Sequence, residues 1–255
     1  MNTWIKICGT TSTEDGLASI AAGANALGFV FASSARRIHP EKARLTICEL
    51  SPIMGAKIET FGVFVNESPE DIAEVVRRVC LTGVQLHGDE DPVMVSKLRA
   101  ALPQRQGPER HTIRIVKSIQ VVYGFEDTIL EFVRRGEEPD AFLLDSPASS
   151  RSSNPATSGR TQAPRGGTGK SFDWAMAARG LRAIAGKYHG RILISGGLNP
   201  GNVAEAIGWL HPYGVDVVSG VERRPGKKDP EKLKAFVHAA LGRELAAPHA
   251  LRSLA

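Results

Sequence analysis

The chain has 255 residues, 42% hydrophobic and 23% charged, with a formal net charge of +5; this excludes a globally disordered chain and matches the roughly 250 residues typical of one (β/α)8 barrel. No basic segment leads into an apolar stretch at the N-terminus and no run reaches the ~20 apolar residues of a membrane helix. A soluble cytoplasmic protein without membrane partners is therefore expected; net charge alone does not choose between a nucleic-acid surface and an anionic small-molecule substrate, and scattered basic residues with few aromatics favour no nucleic-acid partner.

The first β-like run, 4–8, stops on Cys8 and is followed by Gly9, then by an amphipathic stretch over 13–22. A second strand over 26–31 runs into the loop that carries Arg36-Arg37, then a helix over 40–50. Strand 57–65 and helix 69–80 follow, the helix opened by Ser68-Pro69-Glu70-Asp71, a capping residue before Pro at the first helical position. Strand 83–87 stops on His87, with a helix over 91–101; strand 112–118 precedes a helix over 124–135. Strand 141–145 is apolar until it stops on Asp145. The Ser/Pro/Arg-rich segment 146–165 then breaks the rhythm and reads as a flexible loop. The last units are helix 173–186, strand 191–195, helix 200–208, strand 215–219 and helix 230–241, with a tail from 243 to 255.

Eight strands alternating with eight helices predict a single (β/α)8 TIM barrel over 1–242, with a long loop after strand six. An open doubly wound sheet is the weaker alternative, because no GxGxxG turn follows the first strand. In such a barrel the active site forms where the strands stop. The candidates there are Cys8, Arg36, His87, Asp145, Gly196-Gly197 and the stretch from Asp216 to Gly220.

Each has two readings. Cys8 is either a buried apolar thiol or a base needing a positive neighbour, and Lys6, on the same strand face, could supply one. Asp145 either caps the strand exit or, in apolar surroundings, works as a general acid. His87 either polarises a substrate or makes a structural hydrogen bond facing the barrel mouth. Arg36 is either an exposed basic residue or a planar fork for a carboxylate.

The glycine turns 166–170, 195–199 and 219–222 suggest a phosphate cradle drawing on Gly167, Gly196, Gly197, Ser219 and Gly220, because glycine lets backbone N–H groups approach an anion. Cys48 and Cys80 fall in apolar helical stretches and are expected in the core. No CxxC spacing occurs. The histidines His39, His111, His189 and His211 show no metal spacing and read as solvated surface.

Taken in order, the blocks KICGTT, ALGFVF with ARRIHPEKA, FGVFVN, VQLHGDE, FLLDS, GGTGKSFDW, ISGGLNPGNV and GVDVVSGVERRPGKKD resemble the phosphoribosylanthranilate isomerase family of tryptophan biosynthesis. The resemblance implies a barrel without metal or organic cofactor, working as monomer or homodimer on a small phosphorylated substrate. The implied reaction is an Amadori rearrangement of N-(5-phosphoribosyl)anthranilate to 1-(2-carboxyphenylamino)-1-deoxyribulose 5-phosphate. It places a base on Cys8, an acid on Asp145 and a carboxylate-binding Arg on Arg36. His87 and Asp216 join the expected substrate contacts. Two features depart from the family pattern: a longer loop over 146–165, and Val218 where Ser is common. A sister isomerase of histidine biosynthesis runs the same chemistry but has Asp where this chain has Cys8, and indole-glycerol phosphate synthase has a Lys-rich first strand absent here.

Overall fold

Residues 3–103, 112–147 and 173–242 are described by the computed structural model of the chain. Eight parallel strands, β1 (Trp4–Ile7), β2 (Ala26–Val30), β3 (Glu59–Phe64), β4 (Gly83–Leu86), β5 (Arg114–Gln120), β6 (Ala141–Asp145), β7 (Arg191–Ile194) and β8 (Gly214–Val217), close into a barrel in sequence order. Each is followed by a helix: α1 (Thr13–Ala22), α2 (Pro40–Met54), α3 (Pro69–Val79), α4 (Pro92–Ala101), α5 (Phe125–Arg135), α6 (Trp174–Ile184), α7 (Val203–Leu210) and α8 (Pro230–Ala240). The expected TIM barrel is therefore observed.

Alternation along the strands produces two cores. Ile5 and Ile7 of β1, Leu27 and Phe29 of β2, and Phe142 and Leu144 of β6 point outward into the layer shared with the helices. Their alternate neighbours point inward, where Ala26, Phe61, Val116, Ala141, Leu143 and Leu193 pack as a separate apolar cluster with Trp4 against it. Successive residues of a strand face opposite sides, so one strand serves both cores. Closure is set by the β1–β8 register, which places Lys6 beside Asp216.

The helix starts follow their capping chemistry. Ser68 accepts from the Asp71 amide, Asp91 from Met94 and Asp229 from Glu231 and Lys232, each with Pro in the first turn. His39, expected as plain surface, caps α2 by accepting from the Glu41 amide at 3.3 Å.

Several boundaries differ from the expectation. The third strand starts at Glu59 rather than 57, after a 3-10 turn over Gly55–Lys57. The helix expected to stop at 50 runs to Met54 despite Pro52, because a proline in the last turn costs one hydrogen bond rather than the helix. The helix expected from 200 starts at Val203, since the Asn202 side chain instead accepts from the Asn199 amide and holds a turn. The eighth strand ends at Val217, and Ser219–Val221 form a 3-10 turn leading into a hairpin, β9 (Glu222–Arg224) with β10 (Lys227–Lys228). That hairpin was not anticipated; its Pro225-Gly226 dipeptide is the turn signal.

Cys48 and Cys80 are not in the core. The buried face of α2 runs through Ala43, Thr46 and Leu50, which turns Cys48 outward. Cys80 sits in the left-handed region as the C-cap of α3, and Leu81 takes the buried position. The loop from 148 to 165, Gly167, His111 and the tail 243–255 lie outside the described residues.

Candidate active site

Cys8 follows β1 directly, with its amide donating to the Val217 carbonyl of β8 at 2.9 Å and its side chain buried. Its thiol fits because Gly28 of β2 has no side chain: a Cβ there would lie 2.4 Å from Cys8 Sγ. A glycine inside a strand marks a close approach, and here the approaching group is the candidate base. Sequence reasoning passed over Gly28, although this signal was present.

Beneath Cys8, Lys6 is buried inside the barrel and donates to Asp216 Oδ1 at 3.0 Å and to Gln85 Oε1 at 2.8 Å. Burial disfavours the ammonium, but the Asp216 carboxylate and the Cys8 sulfur outweigh it, so Lys6 is held above its ordinary value. For Cys8 the balance goes the other way. Burial pushes the thiol up, Asp216 adds to the rise, and the Lys6 and Lys228 cations oppose it without overcoming it. The resting group is a thiol with Lys6 beneath it and Lys228 on its carbonyl side.

Lys228, from the unanticipated hairpin, approaches from the other side. Its Nζ donates to the Cys8 carbonyl at 2.5 Å, to the Val218 carbonyl at 3.3 Å and to Glu222 Oε1 at 3.3 Å. Burial lowers its affinity for a proton, and Glu222 only partly restores it.

Glu222 also receives Arg36, whose Nε donates to Oε1 at 3.0 Å and whose Nη2 donates to Oε2 at 2.8 Å. Burial pushes the Glu222 carboxyl up, but Arg36 and Lys228 more than compensate and hold it below the usual carboxylate range. The Arg36 fork engages a carboxylate of the protein itself, Glu222, rather than standing free. Glu222 uses the Nε–Nη2 edge, leaving the Nη1–Nη2 edge without a protein partner among the described residues.

Across the barrel, Asp145 ends β6 at 4% exposure. A carboxyl so placed needs partners. Oδ1 accepts from the Ser146 amide at 2.8 Å, and Oδ2 lies 3.3 Å from His87 Nε2. The other ring nitrogen of His87 is 2.9 Å from Gln85 Nε2. A continuous polar chain thus runs from Asp216 through Lys6, Gln85 and His87 to Asp145, joining the thiol side of the mouth to the carboxyl side. His87 also borders a cavity of about 360 Å³, lined further by Glu90, Lys117, Ser118, Gln120 and Tyr123.

The glycine turns lie at the ends of β7 and β8. Gly196 and Gly197 both have positive φ, and a Cβ on Gly196 would come within 2.5 Å of the Ser146 amide nitrogen. Gly220 packs so closely on the neighbouring turn that a Cβ would meet the Leu198 carbonyl. The two turns therefore form one surface, with Ser219 and Gly220 opening the 3-10 turn. Asp216, expected as a substrate contact, is buried and paired with Lys6.

The chain and its fold have clear relatives. A family model described as N-(5'phosphoribosyl)anthranilate (PRA) isomerase matches residues 5–239. N-(5'-phosphoribosyl)anthranilate isomerase of Trichlorobacter lovleyi is 39% identical over 237 residues, covering 92% of this chain and 97% of the relative. Among solved structures, phosphoribosyl anthranilate isomerase from Thermotoga maritima matches at 36% identity and TM-score 0.72, over 94% of this chain and 99% of that one. Another, phosphoribosyl anthranilate isomerase in complex with reduced 1-(o-carboxyphenylamino)-1-deoxyribulose 5-phosphate, matches at 34% identity and TM-score 0.70, with the same coverage of both chains. With nearly its whole length accounted for by these matches, the chain belongs to the N-(5'-phosphoribosyl)anthranilate isomerase family.

Proposed function

We propose that this barrel mouth isomerises N-(5'-phosphoribosyl)anthranilate in tryptophan biosynthesis, with Asp145 as general acid and Cys8 as general base. Asp145 gives a proton to the furanose ring oxygen as the C1–O bond breaks, leaving an iminium at C1. Cys8, as thiolate, removes the C2 proton, and the electron pair moves to form the C1–C2 double bond of an enolamine. Reprotonation at C1 and loss of the enol proton give the ketone, so the product is an isomer of the substrate. Proton transfers of this kind are each worth roughly 10²- to 10⁴-fold.

The observation that carries the reading is the placement of two buried proton-exchanging side chains at separate strand ends around one mouth, Cys8 beside Lys6 and Asp145 beside His87. Lys6 and Lys228 favour the thiolate once it forms. The turns at Gly196-Gly197 and Ser219-Gly220 supply backbone donors for the phosphate, His87 faces the sugar, and Asp216 acts from behind through Lys6. Arg36 offers its unoccupied edge to the anthranilate carboxylate while Glu222 holds the other edge, so the guanidinium is oriented before substrate arrives.

This reading takes 1–242 as one barrel in the cytoplasm, as monomer or homodimer; a Thermotoga maritima relative is dimeric. Among the described residues no helix is long and apolar enough to cross a membrane.

The test generates phosphoribosylanthranilate in situ and follows loss of its fluorescence. Cys8→Ser and Asp145→Asn should each lower kcat by about 10²-fold or more. Variants that both stay near the wild-type rate would remove the acid/base assignment. No turnover by the wild type, but turnover of the histidine-pathway aminoimidazole substrate, would move the activity to the sister reaction.

A further inference from the structure

We infer that Gln85 is a positioning residue that fixes the tautomer of His87, with the ring N–H on Nε2 aimed at Asp145. The inference rests on Asp145 acting as the acid.

A glutamine amide has one acceptor end and one donor end. The Oε1 end of Gln85 accepts from Lys6 Nζ at 2.8 Å. An ammonium donates only, so the reversed amide would set donor against donor in a buried place, and Lys6 is kept charged by Asp216. The Nε2 end must therefore face His87, and at 2.9 Å it donates to Nδ1. Nδ1 then holds a lone pair, and the ring proton sits on Nε2, 3.3 Å from Asp145 Oδ2. The fixed charge pair at Lys6 and Asp216 thus sets the imidazole two residues further along the chain of contacts.

The consequence concerns how the acid is held. With its proton on Nε2, His87 turns a donor toward Asp145 Oδ2 while Oδ1 accepts from the Ser146 amide, so both carboxyl oxygens are oriented. A second proton on His87 has to enter at Nδ1, and entry there breaks the bond from Gln85 and buries an unpaired amide. The charged groups around the imidazole are Lys6 through Gln85, Asp145, and Glu90 and Lys117 on the cavity that His87 borders.

The direct test is ¹⁵N NMR of the full-length protein at neutral pH, with the His87 signals identified by their loss in His87→Asn. The expected pattern is one pyrrole-type nitrogen at Nε2 and one pyridine-type nitrogen at Nδ1. A proton on Nδ1, alone or with Nε2, overturns the inference. Gln85→Glu presents an acceptor at both ends, and should give a doubly protonated ring with kcat lower by about tenfold or more and KM within about threefold. An unchanged ring and unchanged kcat in that variant also overturn it. Should Gln85→Glu not fold, Gln85→Met frees Nδ1 while keeping volume; retention of the wild-type nitrogen pattern would then count against Gln85. The nitrogen spectrum does not require turnover, so an inactive wild type sinks the isomerase reading without altering this outcome.

Discussion

The two ends of the barrel interior are built from opposite materials. At the N-terminal end Trp4, Phe61, Val116, Ala141, Leu143 and Leu193 fill the bore with hydrocarbon, and Trp4 meets Phe61 edge-on at 6.0 Å. One layer up, Lys6, Gln85 and Asp216 replace them, and above these lie Cys8, His87 and Asp145. Strands β1, β4 and β6 run through both zones, so the change of material occurs within single strands. The lower layer gains stability from burying apolar area. The upper layer has desolvated charges that must be paired, and a buried pair contributes little net stability. What it supplies is fixed geometry for proton transfer.

This contrast gives a crossed pair of expectations, which has the largest effects. Asp145→Asn at the upper end should reduce kcat by about 10²- to 10⁴-fold while shifting the urea midpoint little. Phe61→Ala at the lower end should remove about 3–5 kcal/mol of stability and leave kcat near wild type at temperatures where the variant is folded. Denaturant titration and the fluorescence assay on both variants check the crossing. A Phe61→Ala enzyme that lost kcat in proportion to its stability would show that the two ends are not separable.

Gly28→Ala probes the border and should have an intermediate effect. The added methyl falls 2.4 Å from Cys8 Sγ and 3.0 Å from its Cβ. The thiol has to shift, at about 1–3 kcal/mol for overpacking, and the base moves with it. Stability and kcat should therefore both fall, with KM changed less. A variant with normal kcat and normal midpoint would mean that the thiol has room to move, and that the close approach positions nothing.

The sequence shows the ends of the strands much better than what they meet. Cys8 and Asp145 stand out because each closes an apolar run with a proton-exchanging group, and a two-residue period puts Lys6 on the face of Cys8. The β-strand order follows from the alternation of elements. The contacts that complete the site join residues far apart in the chain: Lys6 to Asp216 over 210 residues, Lys228 to the Cys8 carbonyl over 220, and Arg36 to Glu222 over 186. Register around a closed barrel decides these, and no local pattern encodes it. The misplacement of Cys48 and Cys80 has a local cause. Apolar neighbours say that a helix has a buried face, but the phase of Ala43, Thr46 and Leu50 decides which residues lie on it, and Cys48 is out of phase.

The cysteines also offer the smallest and cleanest comparison, one chemistry in two settings. Cys48 and Cys80 are exposed, whereas Cys8 is buried, with its thiol raised above the ordinary 9.0 by burial and by Asp216 against the pull of Lys6 and Lys228. The thiolate is the species that alkylates. At neutral pH iodoacetamide should therefore label Cys48 and Cys80 first, with activity retained until Cys8 reacts. The sign for stability follows from the same direction of shift. A group whose folded value lies above its unfolded value binds a proton more tightly when folded, so its contribution is fully present below about pH 9 and is lost as pH rises through the folded value. Inactivation by alkylation should quicken as pH rises and the Cys8 thiolate forms, and kcat/KM should climb with it. Mass spectrometry of peptides quenched across a pH series reads all three sites at once. If Cys8 were labelled as fast as Cys48 at neutral pH, its burial and the raised thiol would both be wrong, and Lys6 and Lys228 would have to outweigh burial in making the base.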